Sequence, residues 1–165
     1  MSSIVQRAFD VAIRAHHGQV RDGADAVPYI AHPVEVVKIL QQHGVCDPRI
    51  LAAAWLHDVV EDTPVTLADL ASFGVVVVDW VDRLTKTPHQ PMATYYNRIW
   101  DSPEATLIKI ADRISNLRTY HVKGEAKLQR YLQFTERDYT TRDAYGLWDT
   151  LQDTVREARA RVHTQ

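Results

Sequence analysis

A short segment after an apolar run concentrates four ionisable side chains. His57, Asp58, Glu61 and Asp62 fall within six consecutive positions. The preceding residues 50–56 are all apolar, which predicts a helix that is buried on most sides and carries its last residues into the interior. Isolated charges are costly to bury, and a divalent cation is one way to offset that cost. The segment therefore predicts a metal site.

Two residues elsewhere in the chain could complete the ligand set. Neighbouring residues of a helix point about 100° apart, so His57 and Asp58 need partners from other helices to enclose an ion. His32 lies at the start of a predicted helix, and Asp112 lies inside an otherwise apolar stretch. Two imidazoles and two carboxylates suit Mn²⁺, Fe²⁺ or Zn²⁺ better than Ca²⁺.

Each candidate also has a structural interpretation. His32 could be a helix N-terminal residue bonded to backbone, and Asp112 could form an ion pair with the adjacent Arg113. Glu61 and Asp62 could form the solvated end of a helix. Spacing alone does not decide between these interpretations and the metal site.

Apolar residues at spacings of three and four predict an all-α domain. Prolines at first turns, glycines at helix ends and a Thr-Asp capping box mark the helix boundaries. The predicted helices begin at Ile4, Pro33, Pro48, Thr66, Val75 and Pro103, and two more cover 124–138 and 141–162.

Three expectations concern how these helices pack. The four valines from Val75 to Val78 favour a strand locally, but the residues after them fit a helix, so we expect a helix with these valines in the core. His16 and His17 are expected on the surface of the first helix. The last helix is polar beyond Leu151, which predicts a frayed end.

The whole-chain composition narrows the class of protein. A formal net charge of −2 over 165 residues provides no basic field, so we expect no nucleic-acid partner. No apolar run approaches the roughly 20 residues of a membrane span. The first seven residues lack the apolar core of a secretory signal, and the single Cys46 cannot form an internal disulfide, so we expect a cytoplasmic protein. The length suits one domain spanning 1–165; the oligomeric state is left open.

Several separated motifs, taken in order, resemble one family. They are Gly18-Gln19 with Arg21, Pro28-Tyr29-Ile30-Ala31-His32-Pro33, Leu56-His57-Asp58-Val59-Val60-Glu61-Asp62-Thr63, Phe73-Gly74, Leu84-Thr85-Lys86, and Ile108 to Thr119. In this order the chain resembles the HD-type hydrolase domains of the RelA/SpoT alarmone enzymes, especially the small single-domain alarmone hydrolases. The resemblance covers roughly residues 4 to 120, and the helices at 124–162 match only as helices.

The resemblance implies an all-α HD helical bundle with a metal site in its core. It also implies a manganese-dependent 3′-pyrophosphohydrolase that converts ppGpp and pppGpp to GDP and GTP, with other divalent transition metals as possible substitutes. Water on such a metal has a lowered pKa and can attack phosphorus at neutral pH. By this analogy the metal ligands are His32, His57, Asp58 and Asp112, the residues that orient or activate water are Glu61 and Asp62, and the nucleotide contacts are Arg21, Asn116 and Thr119.

One position departs from the family pattern. Family members commonly carry Lys after the arginine that matches Arg21, whereas this chain has Asp22. This departure motivates one alternative, an HD-type phosphohydrolase of a different nucleotide. A non-catalytic nucleotide-binding HD module is a second, separate alternative. The cations that could balance phosphate charge are Lys86, Lys109, Arg113 and Arg118.

Overall fold

The computed structural model describes residues 2–21, 26–119, 125–139 and 145–162. Within these ranges the chain is helical and contains no strand, so the predicted all-α class is confirmed. An isolated bridge joins Val20 to Pro28. The helices are α1 (Ile4–Ala15), α2 (Ala31–Gln42), α3 (Pro48–Leu56), α4 (Val59–Asp62), α5 (Val75–Leu84), α6 (Met92–Trp100), α7 (Pro103–Thr119), α8 (Glu125–Asp138) and α9 (Leu147–Val162), with a 3₁₀ helix at Ala68–Phe73 before α5.

Helices α3 and α7 form the centre of the bundle. Helix α3 is buried from Ile50 to Leu56, and it packs against α1, α2, α5 and α7. Helix α7 also contacts α2, α5, α6 and α9, and its apolar residues Ile108, Ile114 and Leu117 are fully buried. Helix α7 carries the buried Asp112 and Arg113 among its apolar residues, and the buried His57 directly follows α3, so these polar groups are held inside the bundle.

Local sequence signals account for most helix boundaries. Asp47 accepts a 2.8 Å hydrogen bond from the backbone N–H of Arg49 and precedes Pro48, which starts α3. Thr66 and Asp69 exchange backbone-to-side-chain hydrogen bonds of 2.8 and 3.4 Å, so the predicted capping box is present. The element that it opens is a 3₁₀ helix.

The third helix is shorter than predicted. It ends at Leu56, and His57 and Asp58 form a turn before the short helix α4. The prediction that both residues belong to the helix is wrong, although His57 is buried as expected. Nε2 of His57 and Oδ2 of Asp58 lie 3.1 Å apart, so these two consecutive side chains face the same point.

The other differences come from which helix faces are covered. Val75 is 82% exposed and Val76 is also exposed, whereas Val77 is fully buried, because four consecutive residues surround a helix and only one side of α5 meets the core. The last helix is described from Leu147 to Val162, and position 141, where it was expected to begin, lies outside the described residues. Val155 and Ala158 continue the buried stripe of Leu151. The predicted fraying stays a prediction, because residues 163–165 also lie outside the described ones.

Two further observations complete the fold. Helix α6 was not predicted. His16, expected on the surface, is buried and stacks on Tyr29 with ring centroids 4.5 Å apart. No helix in the described part of the chain is both long and apolar enough to cross a membrane.

Candidate metal centre

Four side chains from α2, α7 and the turn after α3 meet inside the bundle. The Nε2 atoms of His32 and His57 are 3.3 Å apart. Oδ1 of Asp112 lies 3.1 Å from Nε2 of His32 and 4.0 Å from Nε2 of His57. All three residues are buried, and their possible ligand atoms lie within 4.8 Å of one another. These residues could hold a metal ion.

Asp58 supplies a fourth possible ligand atom, its second oxygen, at the same point. Its Oδ2 lies 3.1 Å from Nε2 of His57 and 3.4 Å from Nε2 of His32. Nitrogen and oxygen ligands stand about 2.0–2.2 Å from a first-row metal, so neighbouring ligand atoms around one ion are about 3–3.5 Å apart. Four of the five separations, from 3.1 to 3.4 Å, fit that spacing, whereas the 4.0 Å between Asp112 and His57 is longer. The structure brings together all four residues predicted as ligands, and their coordination of a metal stays a prediction.

Both imidazoles are oriented from their far nitrogens. Nδ1 of His57 lies 2.8 Å from the backbone oxygen of Ala54, so it donates its proton there and leaves Nε2 facing the centre. Nδ1 of His32 lies 3.0 Å from Oγ of Ser115. Metal-bound histidines in proteins are held in this way by a partner on the second nitrogen. The donor set therefore fits a divalent cation.

Charges around the centre favour ionised carboxylates. Burial alone would raise the pKa of Asp112, but Nζ of Lys109 at 2.9 Å and the imidazole of His32 hold it well below its ordinary value. Burial would likewise raise the pKa of Asp58, and His57 and His32 lower it. Burial would lower the pKa of His57, whereas the Asp58 carboxylate raises it to about 9. The structural alternative for Asp112 is wrong, because its cationic partner is Lys109 and not Arg113.

The acidic pair after the turn is divided between two environments. Oε2 of Glu61 accepts a 2.8 Å hydrogen bond from the backbone N–H of Lys86, and burial raises the pKa of Glu61. Oδ2 of Asp62 accepts a 2.8 Å hydrogen bond from the Tyr29 hydroxyl. Its backbone oxygen accepts a 2.9 Å bond from Nε2 of Gln19. Each carboxylate is therefore held by a specific donor, although both residues are exposed at the end of α4, as the structural alternative of a solvated helix end expects.

The three residues predicted to bind nucleotide lie together. Nη2 of Arg21 donates to Oδ1 of Asn116 at 2.8 Å and to Oγ1 of Thr119 at 3.3 Å. Nδ2 of Asn116 donates to Oδ1 of Asp112 at 2.5 Å. This group adjoins the metal centre, and contact with a nucleotide stays a prediction. Asp22 lies outside the described residues.

A pocket of about 350 Å³ opens onto the centre. It is lined by His32, Asp58, Glu61 and Asp112 and also by cationic and aromatic side chains, which include Lys86, Lys109, Arg113, Tyr95, Tyr96 and Tyr131. Arg118, one of the cations considered for phosphate, does not line the pocket and instead pairs with Glu35 at 2.6 Å. The pocket wall thus combines carboxylates with cations.

The sequence interpretation gave no role to two residues that orient the centre. Tyr29 belongs to a quoted motif, and its hydroxyl contacts two carboxylates; burial, with Asp58 and Asp62 nearby, raises its pKa. Ser115 supports His32. Ser115 lies three positions after Asp112 on α7, so it shares a helix face with a ligand candidate, and that spacing could have identified it. Tyr29 had no comparable signal, because it precedes α2.

A family model described as "HD domain" matches residues 8–140. The chain belongs to the HD domain family. The match includes every residue of the candidate centre and continues beyond α7 through α8, so the predicted family is confirmed.

Curated relatives of this HD domain carry nucleotide-related names. A probable GTP pyrophosphokinase of Mycobacterium leprae is 41% identical over 127 residues, which are 71% of this chain and 16% of that protein. The human guanosine-3′,5′-bis(diphosphate) 3′-pyrophosphohydrolase MESH1 is 35% identical over 139 residues, which are 77% of this chain and 78% of that protein. The chain thus spans about a sixth of the long relatives' length and most of the human protein.

A solved structure has the same fold over nearly its whole length. It is described as "A metazoan ortholog of SpoT hydrolyzes ppGpp and plays a role in starvation responses". The TM-score is 0.82 at 26% sequence identity, and the match covers 95% of this chain and 96% of that one. The likeness therefore includes α8 and α9 as well as the helices that carry the HD residues.

Proposed function

We propose that this HD domain is a manganese-dependent hydrolase that converts ppGpp and pppGpp to GDP and GTP with release of pyrophosphate. The observation that carries the proposal is the cluster of two imidazoles and two carboxylates in a pocket whose wall also holds Arg21 and Asn116. The names of the human relative and of the solved structure support the choice of substrate.

The residues that would hold the cation are His32, His57, Asp58 and Asp112. Their mixed nitrogen and oxygen donors suit Mn²⁺ among the divalent metals. When bound, such a cation lowers the pKa of a water molecule and offsets phosphate charge.

The reaction exchanges one phosphorus–oxygen bond for another. Water oxygen bonds to the phosphorus that is attached to ribose O3′, the bond from that phosphorus to O3′ breaks, and O3′ takes up a proton as pyrophosphate leaves. Glu61 accepts the proton of the attacking water. Its Oε2 is engaged by Lys86, while Oε1 has no hydrogen bond to the described residues and is left for water. The raised pKa of Glu61 makes it a stronger base than a glutamate with an ordinary pKa.

The remaining site residues bind and orient. Arg21 stacks on or hydrogen-bonds the guanine, with Asn116 and Thr119 contacting the ribose and base. Asp62, which Tyr29 and Gln19 hold in place, orients the water. Lys86 and Arg113 also line the pocket, where they would offset phosphate charge.

Product analysis tests the proposal. Purified protein is incubated with ppGpp and Mn²⁺ in ¹⁸O-labelled water, and the products are separated by anion exchange. We expect GDP and pyrophosphate in equal amounts, with the label in pyrophosphate because water attacks phosphorus. Chelator treatment and the Asp58→Asn variant are the controls, and both should abolish release. Absence of pyrophosphate from the untreated protein with Mn²⁺ would contradict the proposal.

A different nucleotide substrate is the second candidate, and Asp22 favours it. A carboxylate next to Arg21 weakens the attraction for an anion at that position. A panel of nucleoside di- and triphosphates under the same conditions separates the candidates: turnover of another nucleotide without turnover of ppGpp would select this one. A non-catalytic module would bind ppGpp and release nothing.

Two organisational predictions accompany the function. We propose that residues 1–165 form a single domain, because α9 packs on both α7 and α8. Limited proteolysis should then leave α7 to α9 in one fragment. The cytoplasmic location stays a prediction, which cell fractionation tests.

A further inference from the structure

The ring of Tyr29 is fixed on two sides. It stacks on the buried His16 with centroids 4.5 Å apart and planes 25° apart. It also meets the ring of His32 edge to face, with centroids 6.0 Å apart. His16 is itself held by Gln19, whose Oε1 lies 2.7 Å from Nδ1 of the imidazole. A ring packed in this way can place its hydroxyl with little freedom.

That hydroxyl lies between two carboxylates. Its oxygen is 2.6 Å from Oδ2 of Asp58 and 2.8 Å from Oδ2 of Asp62. The Asp58 oxygen is the same atom that lies 3.1 Å from Nε2 of His57. The tyrosine therefore contacts the oxygen that faces the candidate metal centre and, on its other side, the carboxylate proposed to orient water.

Asp62 has a second attachment to the same group of residues. Nε2 of Gln19 donates to the backbone oxygen of Asp62 at 2.9 Å, and the other end of the Gln19 amide contacts His16. The backbone of Asp62 is thus held by one donor and its side chain by another. Without the Tyr29 hydroxyl, two negative carboxylates would face each other with no donor between them.

We propose that Tyr29 is a positioning residue, whose hydroxyl holds Oδ2 of Asp58 toward the metal and keeps Asp62 beside it. Tyr29 lines the pocket, but its hydroxyl is engaged by the two carboxylates, so it acts through them and not on the nucleotide directly. Its removal therefore changes metal affinity and kcat and leaves KM for the nucleotide nearly unchanged. The expected change in kcat rests on the proposed function, whereas the expected change in metal affinity does not.

The Tyr29→Phe variant tests this inference because it removes the hydroxyl and keeps the ring on His16. Mn²⁺ binding to the chelator-treated protein is measured by calorimetric titration, and ppGpp hydrolysis by steady-state kinetics. Removing a group that orients metal ligands typically costs ten- to a hundredfold in affinity or activity. We expect an Mn²⁺ affinity at least about tenfold weaker, a kcat about tenfold or more lower, and a KM within about threefold of wild type.

Tyr139→Phe is the matched control, because Tyr139 is buried but does not line the pocket. It should bind Mn²⁺ like the wild type, and the melting temperatures establish that both variants are folded. An unchanged Mn²⁺ affinity in folded Tyr29→Phe would overturn the inference. If the wild type binds Mn²⁺ and releases no pyrophosphate, the proposed function fails, and the metal titration still decides the role of Tyr29.

A double-mutant cycle tests the link to Asp62. In an Asp62→Asn background one of the two carboxylates that Tyr29 holds is absent. Tyr29→Phe should therefore lower kcat by a clearly smaller factor in that background than in the wild type. Equal factors in the two backgrounds would overturn the link between Tyr29 and Asp62.

Discussion

Asn116 donates a 2.5 Å hydrogen bond from its side-chain amide to Oδ1 of Asp112. The oxygen of the same amide accepts a 2.8 Å bond from Arg21. One side chain therefore joins the residue proposed to recognise guanine to an oxygen proposed to bind metal. Binding of nucleotide and binding of metal are expected to influence each other through this amide.

Asn116→Leu removes both hydrogen bonds at nearly constant volume. Hydrogen bonds to charged groups contribute about 1.5–3 kcal/mol, so we expect KM for ppGpp to rise about tenfold or more. We expect the affinity for Mn²⁺ to fall about tenfold, since Asp112 loses a donor that fixes its oxygen. Steady-state kinetics and calorimetric titration measure the two effects. Asn97→Leu, at an exposed position of α6, is the control. A raised KM with an unchanged metal affinity would contradict the coupling.

Asp112 is proposed to bind the metal and Glu61 to accept a proton, so substitutions at the two positions should have different effects. Asp112→Ala removes a proposed ligand, and we expect the bound metal content to fall to near zero at micromolar Mn²⁺. Glu61→Ala should retain the wild-type metal content and lose turnover by about 10²–10⁴-fold, the usual contribution of a general base. Elemental analysis after gel filtration measures the first effect and kinetics the second. Equal loss of metal in both variants would place Glu61 among the ligands.

The pH dependence of kcat should report Glu61. A general base works as the carboxylate, so the rate falls as pH decreases through its pKa. Burial raises that pKa, and the fall should therefore occur above the ordinary value of 4.5. A pH series in a single Mn²⁺-saturated buffer system measures it. Glu61→Gln should remove this limb, whereas Glu157→Gln, at a well-exposed position of α9, should keep it. A limb that persists in Glu61→Gln would assign the base to another group.

Arg113 is predicted to stabilise the bundle. Its guanidinium is buried, donates to Tyr96 and Thr135, and lies 3.9 Å from the ring centroid of Tyr131. Arg113→Ala leaves a cavity and two polar groups without their donor, so we expect the free energy of unfolding to fall by about 2–4 kcal/mol. Arg118→Ala, on the same helix, breaks a half-exposed pair with Glu35 and should cost less than about 1 kcal/mol. Urea denaturation compares them, and equal costs would contradict the prediction.

Helix positions were predicted better than the faces that they bury. The residues from Val75 to Leu84 form the expected helix, because the residues after the valines outweigh their local strand preference. Which of the four valines is buried depends on which side of α5 packs against the neighbouring helices. The amino-acid composition of the segment does not determine that side. The buried face at the end of α9 was not predicted either. Val155 and Ala158 are sparse apolar residues in a charged sequence, yet their spacing from Leu151 makes a continuous stripe against the bundle.

The candidate centre was predictable in its residues but not in its supports. His32, His57, Asp58 and Asp112 were chosen from their chemistry and from a family resemblance, and the structure brings them together. His16 was expected on the surface, since adjacent histidines on an amphipathic helix are usually solvated. Its burial depends on contact with Tyr29, which lies in the segment before α2. A contact between two separate segments produces no periodic pattern in the sequence.

Helix α7 carries Asp112, Ser115, Asn116 and Thr119 at relative positions 0, 3, 4 and 7, which is one face of a helix. A one-residue slip along its axis would turn that face by about 100° and shift it by about 1.5 Å. The proposed metal coordination, the orientation of His32 and the proposed contacts with the base would then be lost together. The burial of Ile110 and Ile114 on the same helix opposes such a slip, so core packing is expected to contribute to selectivity alongside the groups proposed to touch the nucleotide.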